Sequence, residues 1–267
     1  MFSQLKSVAL LTLCIGSLIG MSGASAQNAP EKYMVLTVEV KPGMDAQFEQ
    51  FIHKFRDAVE KNKGPQHWLA SSSMSGNAVY VFTVPFATWA GQFGQEAPNP
   101  LIAAYGEQEA AKALGLLAAS AESETTAIYV ARPDLSRPRP QATGGQPAAT
   151  PVAVEYVDLN VKIGKEQQFE GYVKKLIEAT NKAEPTAYWQ MRQRTFGPGN
   201  TPGYRAVVQY LTWADLDKQN KPFQQRLTEA FGAADAEKIQ GLAADALQGR
   251  NQRLARVRVD LERPPAN

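Results

Sequence analysis

Tyr156, Asp158 and Asn160 occupy alternate positions in the run from Val154 to Val161, where apolar and polar residues alternate. Alternate residues of a strand share a face, so this pattern sets a phenol, a carboxylate and an amide side by side. Arginine gathers in the same half of the chain, at Arg192, Arg194, Arg205, Arg256 and Arg258. If Val157, Leu159 and Val161 turn toward helices, Val257, Val259 and Leu261 do the same on the last strand. Arg256 and Arg258 then join Tyr156, Asp158 and Asn160 on the opposite face, together with Arg205, Gln209, Arg192 and Arg194. Several guanidinium groups around a cleft favour a carboxylate or phosphate through forked, charge-assisted hydrogen bonds. The ligand-binding candidates are therefore Tyr156, Asp158, Asn160, Arg192, Arg205, Arg256 and Arg258, and the expected partner is a small anionic or aromatic molecule. The alternative is an ion network of these arginines with Asp158 and Glu39 that holds no ligand.

Other chemistries find less support. The chain has two histidines, His53 and His67, and neither has a second ligand at metal spacing, so no metal and no cofactor is expected. The single cysteine, Cys14, lies in the amino-terminal leader, which leaves the mature chain without a thiolate nucleophile or a disulfide. No G-x-S-x-G elbow is present. The formal net charge of +2 and the lack of a basic run interleaved with aromatics argue against nucleic acid. The four tryptophans form two matched pairs, Trp68 with Trp189 and Trp89 with Trp213, and are read as core.

That pairing belongs to an internal repeat. Gly43-Met44-Asp45-Ala46-Gln47-Phe48-Glu49 returns as Gly164-Lys165-Glu166-Gln167-Gln168-Phe169-Glu170, and Asp134-Leu135-Ser136-Arg137-Pro138 returns as Asp260-Leu261-Glu262-Arg263-Pro264. A repeat of this length is a whole domain. The spacing between copies widens along the chain, and one insertion is marked by Gly197-Pro198-Gly199-Asn200-Thr201-Pro202-Gly203. The expected boundaries are a leader over 1–26, a first repeat over 27–137, a Pro/Gly/Ala linker over 138–152, a second repeat over 153–264 and a short tail.

In each copy a period-two strand (Tyr33 to Val40; Val154 to Val161) passes through Gly43 or Gly164 into an amphipathic helix carrying Phe48, Phe51, Ile52, Phe55 and Val59, or Phe169, Tyr172, Val173, Leu176 and Ile177. A hairpin follows, then a second helix, and then a closing strand. The order β-α-β-β-α-β is a ferredoxin-like α+β unit, with both helices on one face of an antiparallel sheet. Tyr105-Gly106 and Phe231-Gly232 read as close helix-sheet contacts. The divergence between copies lies on the other face: Val35, Thr37, Glu39, Val81, Thr83, Ile128, Val130 and Arg132 make that of the first copy mostly apolar.

Two such units packed sheet to sheet resemble the dimeric α+β barrel superfamily, which includes antibiotic-biosynthesis monooxygenase-like and NIPSNAP-like proteins, here fused as a pseudo-dimer. The resemblance covers both copies in element order and length and rests on topology. It implies a cofactor-independent monooxygenase-like enzyme as one alternative to a binding protein, and a structural or partner-binding envelope module is another. The leader has Lys6, an apolar run from Val8 to Ile19 and an Ala24-Ser25-Ala26 cleavage site. The expectation is a periplasmic or secreted protein with no stable membrane insertion after cleavage, either a monomeric pseudo-dimer or a homo-oligomer.

Overall fold

The computed structural model describes residues 31–93, 98–138, 150–184, 186–218 and 221–263. The expected leader, most of the expected linker and the tail lie outside them. The fold is α+β, and backbone hydrogen bonding joins eight antiparallel strands in a closed barrel of order β1-β3-β2-β8-β5-β7-β6-β4. These are β1 (Lys32–Val40), β2 (Leu69–Ser73), β3 (Val79–Phe86), β4 (Ala121–Ala131), β5 (Ala153–Val161), β6 (Gln190–Phe196), β7 (Gly203–Tyr210) and β8 (Leu247–Val257).

The chain divides into two compact units. The first holds residues up to Ile128 and those from Arg258 onward; the second holds Tyr129–Val257. In the first unit, Gly43 at φ 76° makes a left-handed turn that a β-branched residue would resist. Helix α1 (Asp45–Lys61) follows, with Asp45 in its first turn facing the positive end of the helix dipole. Phe48, Phe51, Ile52, Phe55, Ala58 and Val59 recur at helical spacing and all are buried. They pack with Val38, Phe82, Val84 and Leu117 in one core. The second unit repeats this arrangement: Gly164 turns at φ 81°, and helix Glu166–Ala183 buries Phe169, Val173 and Leu176.

The second helix of each copy is broken into two, at Gly106 and at Gly232. The first copy has Pro100–Tyr105 and Glu107–Ser120, the second Phe223–Phe231 and Ala233–Ala246. Both glycines have φ above 80° or at it (80° and 84°), and a Cβ at either would meet nothing within 4 Å. Their role is therefore a left-handed joint between helices, in place of the close helix-sheet contact expected from sequence. The tryptophans also divide. Trp68 (3 % exposed) and Trp189 (8 %) are core, as expected, whereas Trp89 (39 %) and Trp213 (45 %) stand half in solvent. Trp89 opens the short helix Trp89–Phe93, and Trp213 is the N-cap residue of the short helix Ala214–Asp217.

The Asp-Leu-x-Arg-Pro segments are completed in crosswise fashion by unit membership. The segment of the second copy lies in the first unit, where Leu261 is fully buried, the Trp68 indole N–H donates to the Leu261 carbonyl at 2.8 Å, and Arg258 pairs with Glu49 and Asp260. The segment of the first copy lies in the second unit. There Leu135 is fully buried, Trp189 donates to its carbonyl at 3.0 Å, and Arg132 pairs with Glu170 at 2.6 Å and Asp134 at 2.8 Å. Tyr80 donates to Glu49 and Tyr204 donates to Glu170 in the same way.

Candidate functional site

The second unit gathers most of the polar residues read from sequence on one face of its strands. The β5–β7 register sets Asp158 opposite Arg205, the β6–β7 register sets Arg205 opposite Arg192, and the β5–β8 register sets Asp158 opposite Asn251. One row thus runs Asn251, Asp158, Arg205, Arg192. The neighbouring row holds Arg253, Tyr156, Val207 and Gln190, and the row on the other side holds Gly249, Asn160, Gly203 and Arg194. Alternation along each strand puts all three rows on one face.

Arg205 is the centre of this arrangement. It is 7 % exposed, and its Nε and Nη2 donate to the two carboxylate oxygens of Asp158 at 2.6 and 2.9 Å. This side-on fork is the geometry in which arginine binds carboxylate best. The guanidinium lies over two phenol rings, 4.9 Å from the centroid of Tyr129 and 5.2 Å from that of Tyr156. Burial opposes its charge, but the Asp158 hydrogen bonds and the nearby Tyr129, Asp158 and Tyr156 outweigh it and raise Arg205 above its ordinary value. Nη1 is buried and has no hydrogen-bond partner among the described residues.

Arg192 is also buried, at 6 %. Two arginines directly opposite each other on a ladder repel, and burial strengthens the repulsion. Arg194 adds a third guanidinium on the same face. The phenol of Tyr129 marks the convergence of these charges: burial is the main cause of its raised value, Arg205, Arg194 and Arg192 pull it down, and Asp158 pushes it up. A buried phenol held in its neutral form can donate a hydrogen bond to an anion.

Tyr156, Asp158, Arg192 and Arg205 therefore come together, and Asn160 lies in the adjoining row. Arg256 and Arg258 do not. Arg256 stands opposite Ala153, an odd-numbered position of β5 on the face away from Asp158, and is exposed. Arg258 lies beyond β8 and belongs to the first unit, bound to Glu49 and Asp260. The cause of the misplacement is the turn after β8. Leu261 is buried, but it lies outside the strand, so carrying its parity back through the turn inverts the face of every strand residue. Val259, expected toward the helices, lies in that turn and is 63 % exposed. The same inversion on β4 hid Tyr129, while Ile128, expected on the polar face, packs against the helical core of the first unit.

Among the described residues, the first unit holds no counterpart of the charged row. Thr37 stands opposite Val81, and Val81 opposite Ser71, where the second unit has Asp158, Arg205 and Arg192. Val81 and Ser71 are buried at 1 and 3 %. The row carries no charged side chain at these three positions.

No described protein family matches the sequence, and no curated protein matches it. Solved structures do. An anthrone oxidase-like protein aligns at 12 % identity over 88 % of this chain and 94 % of its own, with a TM-score of 0.52. Chlorite dismutase from Candidatus Nitrospira defluvii aligns at 8 % identity over 86 % of this chain and 92 % of its own, with a TM-score of 0.49. A protein of Lactobacillus acidophilus NCFM provisionally described as a monooxygenase aligns at 9 % identity over 85 % and 94 %, with a TM-score of 0.48. At these identities the likeness to the first shows the fold alone, an α+β fold with a closed eight-stranded barrel, and the other two are too distant to add to it.

Proposed function

We propose that this chain is an exported binding protein for a small anion, held on the charged face of the second unit. The observation that carries the reading is Arg205, buried to 7 % exposure with Asp158 on one edge and, on another, an Nη1 that has no hydrogen-bond partner among the described residues. A buried donor without an acceptor costs about 1–3 kcal/mol, more when charged, and a bound carboxylate supplies the acceptor. Arg192 and the Tyr129 phenol stand beside it. The leader pattern supports export and cleavage after Ala26, and the tandem fold supports a single-chain pseudo-dimer of the antibiotic-biosynthesis monooxygenase-like or NIPSNAP-like kind.

Thermal unfolding of the mature chain tests the proposal, with acetate, benzoate and inorganic phosphate added at constant ionic strength. A ligand at 100 times its dissociation constant adds about 2.7 kcal/mol of stability. At least one of these anions stabilises the wild type, and Arg205→Lys, which keeps the charge but loses the fork, reduces the gain. Equal responses of the two proteins to every anion would sink the proposal.

A second reading is a cofactor-independent monooxygenase-like enzyme acting on an aromatic substrate. It is supported by the likeness in fold to an anthrone oxidase-like protein and by the buried phenols of Tyr129 and Tyr156 around Arg205. Oxygen uptake with anthrone, abolished by Arg205→Lys, would favour it over simple binding.

A further inference from the structure

Tyr129 of β4 is 3 % exposed, and the Arg205 guanidinium carbon stands 4.9 Å from the centroid of its ring. A buried phenol usually finds a hydrogen-bond partner. Elsewhere in the chain such phenols do: Tyr80 donates to Glu49 at 2.7 Å, Tyr204 to Glu170 at 2.8 Å and Tyr210 to Glu155 at 2.7 Å. Each of these hydrogen bonds helps to raise its phenol above the ordinary value. Tyr129 is different. Burial raises it and the charges of Arg205, Asp158, Arg194 and Arg192 adjust it, but no hydrogen bond to another described residue contributes.

Two open hydrogen-bonding groups therefore meet at one contact. Arg205 Nη1 is buried with no hydrogen-bond partner among the described residues, and the ring against the same guanidinium carries the Tyr129 hydroxyl. Asp158 takes its hydrogen bonds from Nε and Nη2, on the other edge of Arg205. The duplicated scaffold does not require a phenol here. Tyr129 stands five residues before Asp134, and the residue five before Asp260 in the other copy is Ala255, which is fully buried. An acceptor that answers a guanidinium N–H and a neutral phenol O–H together is an ionised oxygen, to which both donate strong, charge-assisted bonds.

We propose, resting on the anion-site reading above, that Tyr129 is the second binding group of the Arg205 site, its hydroxyl donating to the same carboxylate that accepts from Arg205 Nη1. The ligand is held by one charged and one neutral donor. The guanidinium supplies the charge, and the phenol adds a donor whose proton burial keeps in place. Both groups that the folded chain leaves open are then satisfied by one ligand.

Calorimetric titration of the full mature chain with acetate and with benzoate, at constant ionic strength, tests this on the wild type, Tyr129→Phe and Arg205→Lys. Tyr129→Phe deletes the hydroxyl and keeps the ring against Arg205. A hydrogen bond to a charged group corresponds to about tenfold or more in affinity, and the variant loses about that factor for whichever acid the wild type binds. Its urea unfolding midpoint without ligand stays at or above that of the wild type, because no described residue loses a hydrogen bond. Unchanged affinity in Tyr129→Phe, with Arg205→Lys weakened, overturns the Tyr129 assignment and leaves the Arg205 site standing. A lower ligand-free midpoint in Tyr129→Phe would mean that the hydroxyl serves the fold, and overturns the assignment as well. Binding that neither substitution weakens, or no binding of either acid, overturns the carboxylate site itself.

Discussion

The indole N–H of Trp68 donates to the carbonyl of Leu261 at 2.8 Å, joining residues 193 positions apart inside the first compact unit. Trp189 makes the equivalent bond to Leu135 in the second unit at 3.0 Å. In each unit a terminal segment contributed by the other repeat is fastened by the same three devices: a buried leucine, an indole hydrogen bond, and an arginine held by two carboxylates. The duplication of the whole device identifies Arg258 as structural, since Arg132 does the same work in the other unit.

Leu261→Ala should destabilise the chain by about 2–5 kcal/mol, the range for deleting a fully buried leucine. Trp68→Phe should cost about 1–3 kcal/mol through the unsatisfied carbonyl and the lost ring. Urea unfolding of the mature chain checks both, and Leu135→Ala and Trp189→Phe should give matching values. A negligible effect in one unit alone would mean that the two fastenings are not equivalent.

The carboxylates of the fastenings and Glu124 pull stability in opposite directions with pH. Glu49 is held low chiefly by its hydrogen bond from Arg258, and Glu170 by that from Arg132; Asp134 and Asp260 are held low by the same two arginines. Groups with depressed folded values contribute stability that is present above the ordinary carboxylate range and lost as pH falls through the folded values. Glu124 is the reverse. Burial raises it to about 7, with one carboxylate oxygen buried and unpartnered among the described residues. Its protonated form suits the fold, so stability falls as pH rises from its unfolded value of 4.5 toward 7. Glu124→Gln should therefore raise stability at pH 8 by on the order of 1 kcal/mol, after allowance for its partial exposure, and leave pH 4 unchanged. Urea midpoints at the two pH values decide it; an equal effect at both would show that Glu124 does not titrate in this range.

Arg226, 3 % exposed, reaches Glu184 at 2.6 Å within the second unit. The pair ties the start of helix Phe223–Phe231 to the residue after helix Glu166–Ala183, and the first unit makes the equivalent tie without charge, through the Asn62 amide and the Pro100 carbonyl at 2.8 Å. Breaking a buried pair on one side leaves an uncompensated charge, so Glu184→Gln should cost about 3–5 kcal/mol. The double variant Arg226→Leu, Glu184→Leu should recover most of that loss. A double-mutant cycle in urea measures it, and additive losses would show the pair to be uncoupled.

Residues 27–144 and 145–267 should complement each other. The first fragment lacks Arg258 and Leu261, which complete the first unit, and the second lacks Tyr129, Arg132 and Leu135, which complete the second. Expressed singly, each exposes the apolar surface around Trp68 or Trp189 and self-associates or aggregates. Expressed together, they should form a one-to-one complex by light scattering, without the linker's contribution to effective concentration. Two soluble monomers that ignore each other would contradict this.

Amino-acid order alone determined the repeat, the α+β class and the helix faces, because hydrophobic periodicity over ten or more residues is a local property that tertiary contacts rarely override. It also placed Tyr156, Asp158, Arg192 and Arg205 together, since alternation within an uninterrupted strand is fixed by backbone geometry. Tertiary structure decided what lies across a turn. Leu261 is buried from a turn, so its parity says nothing of the strand before it, and Arg256 and Arg258 do not occupy the face that parity implies. It also decided which unit each terminal segment completes, because every strand in a repeat carries the same local signal whichever partner it joins. The fork of Arg205 on Asp158 and its position opposite Arg192 depend on the ladder registers of β5, β6 and β7. Register is a relation between strands distant in sequence, and it is settled only when they pair.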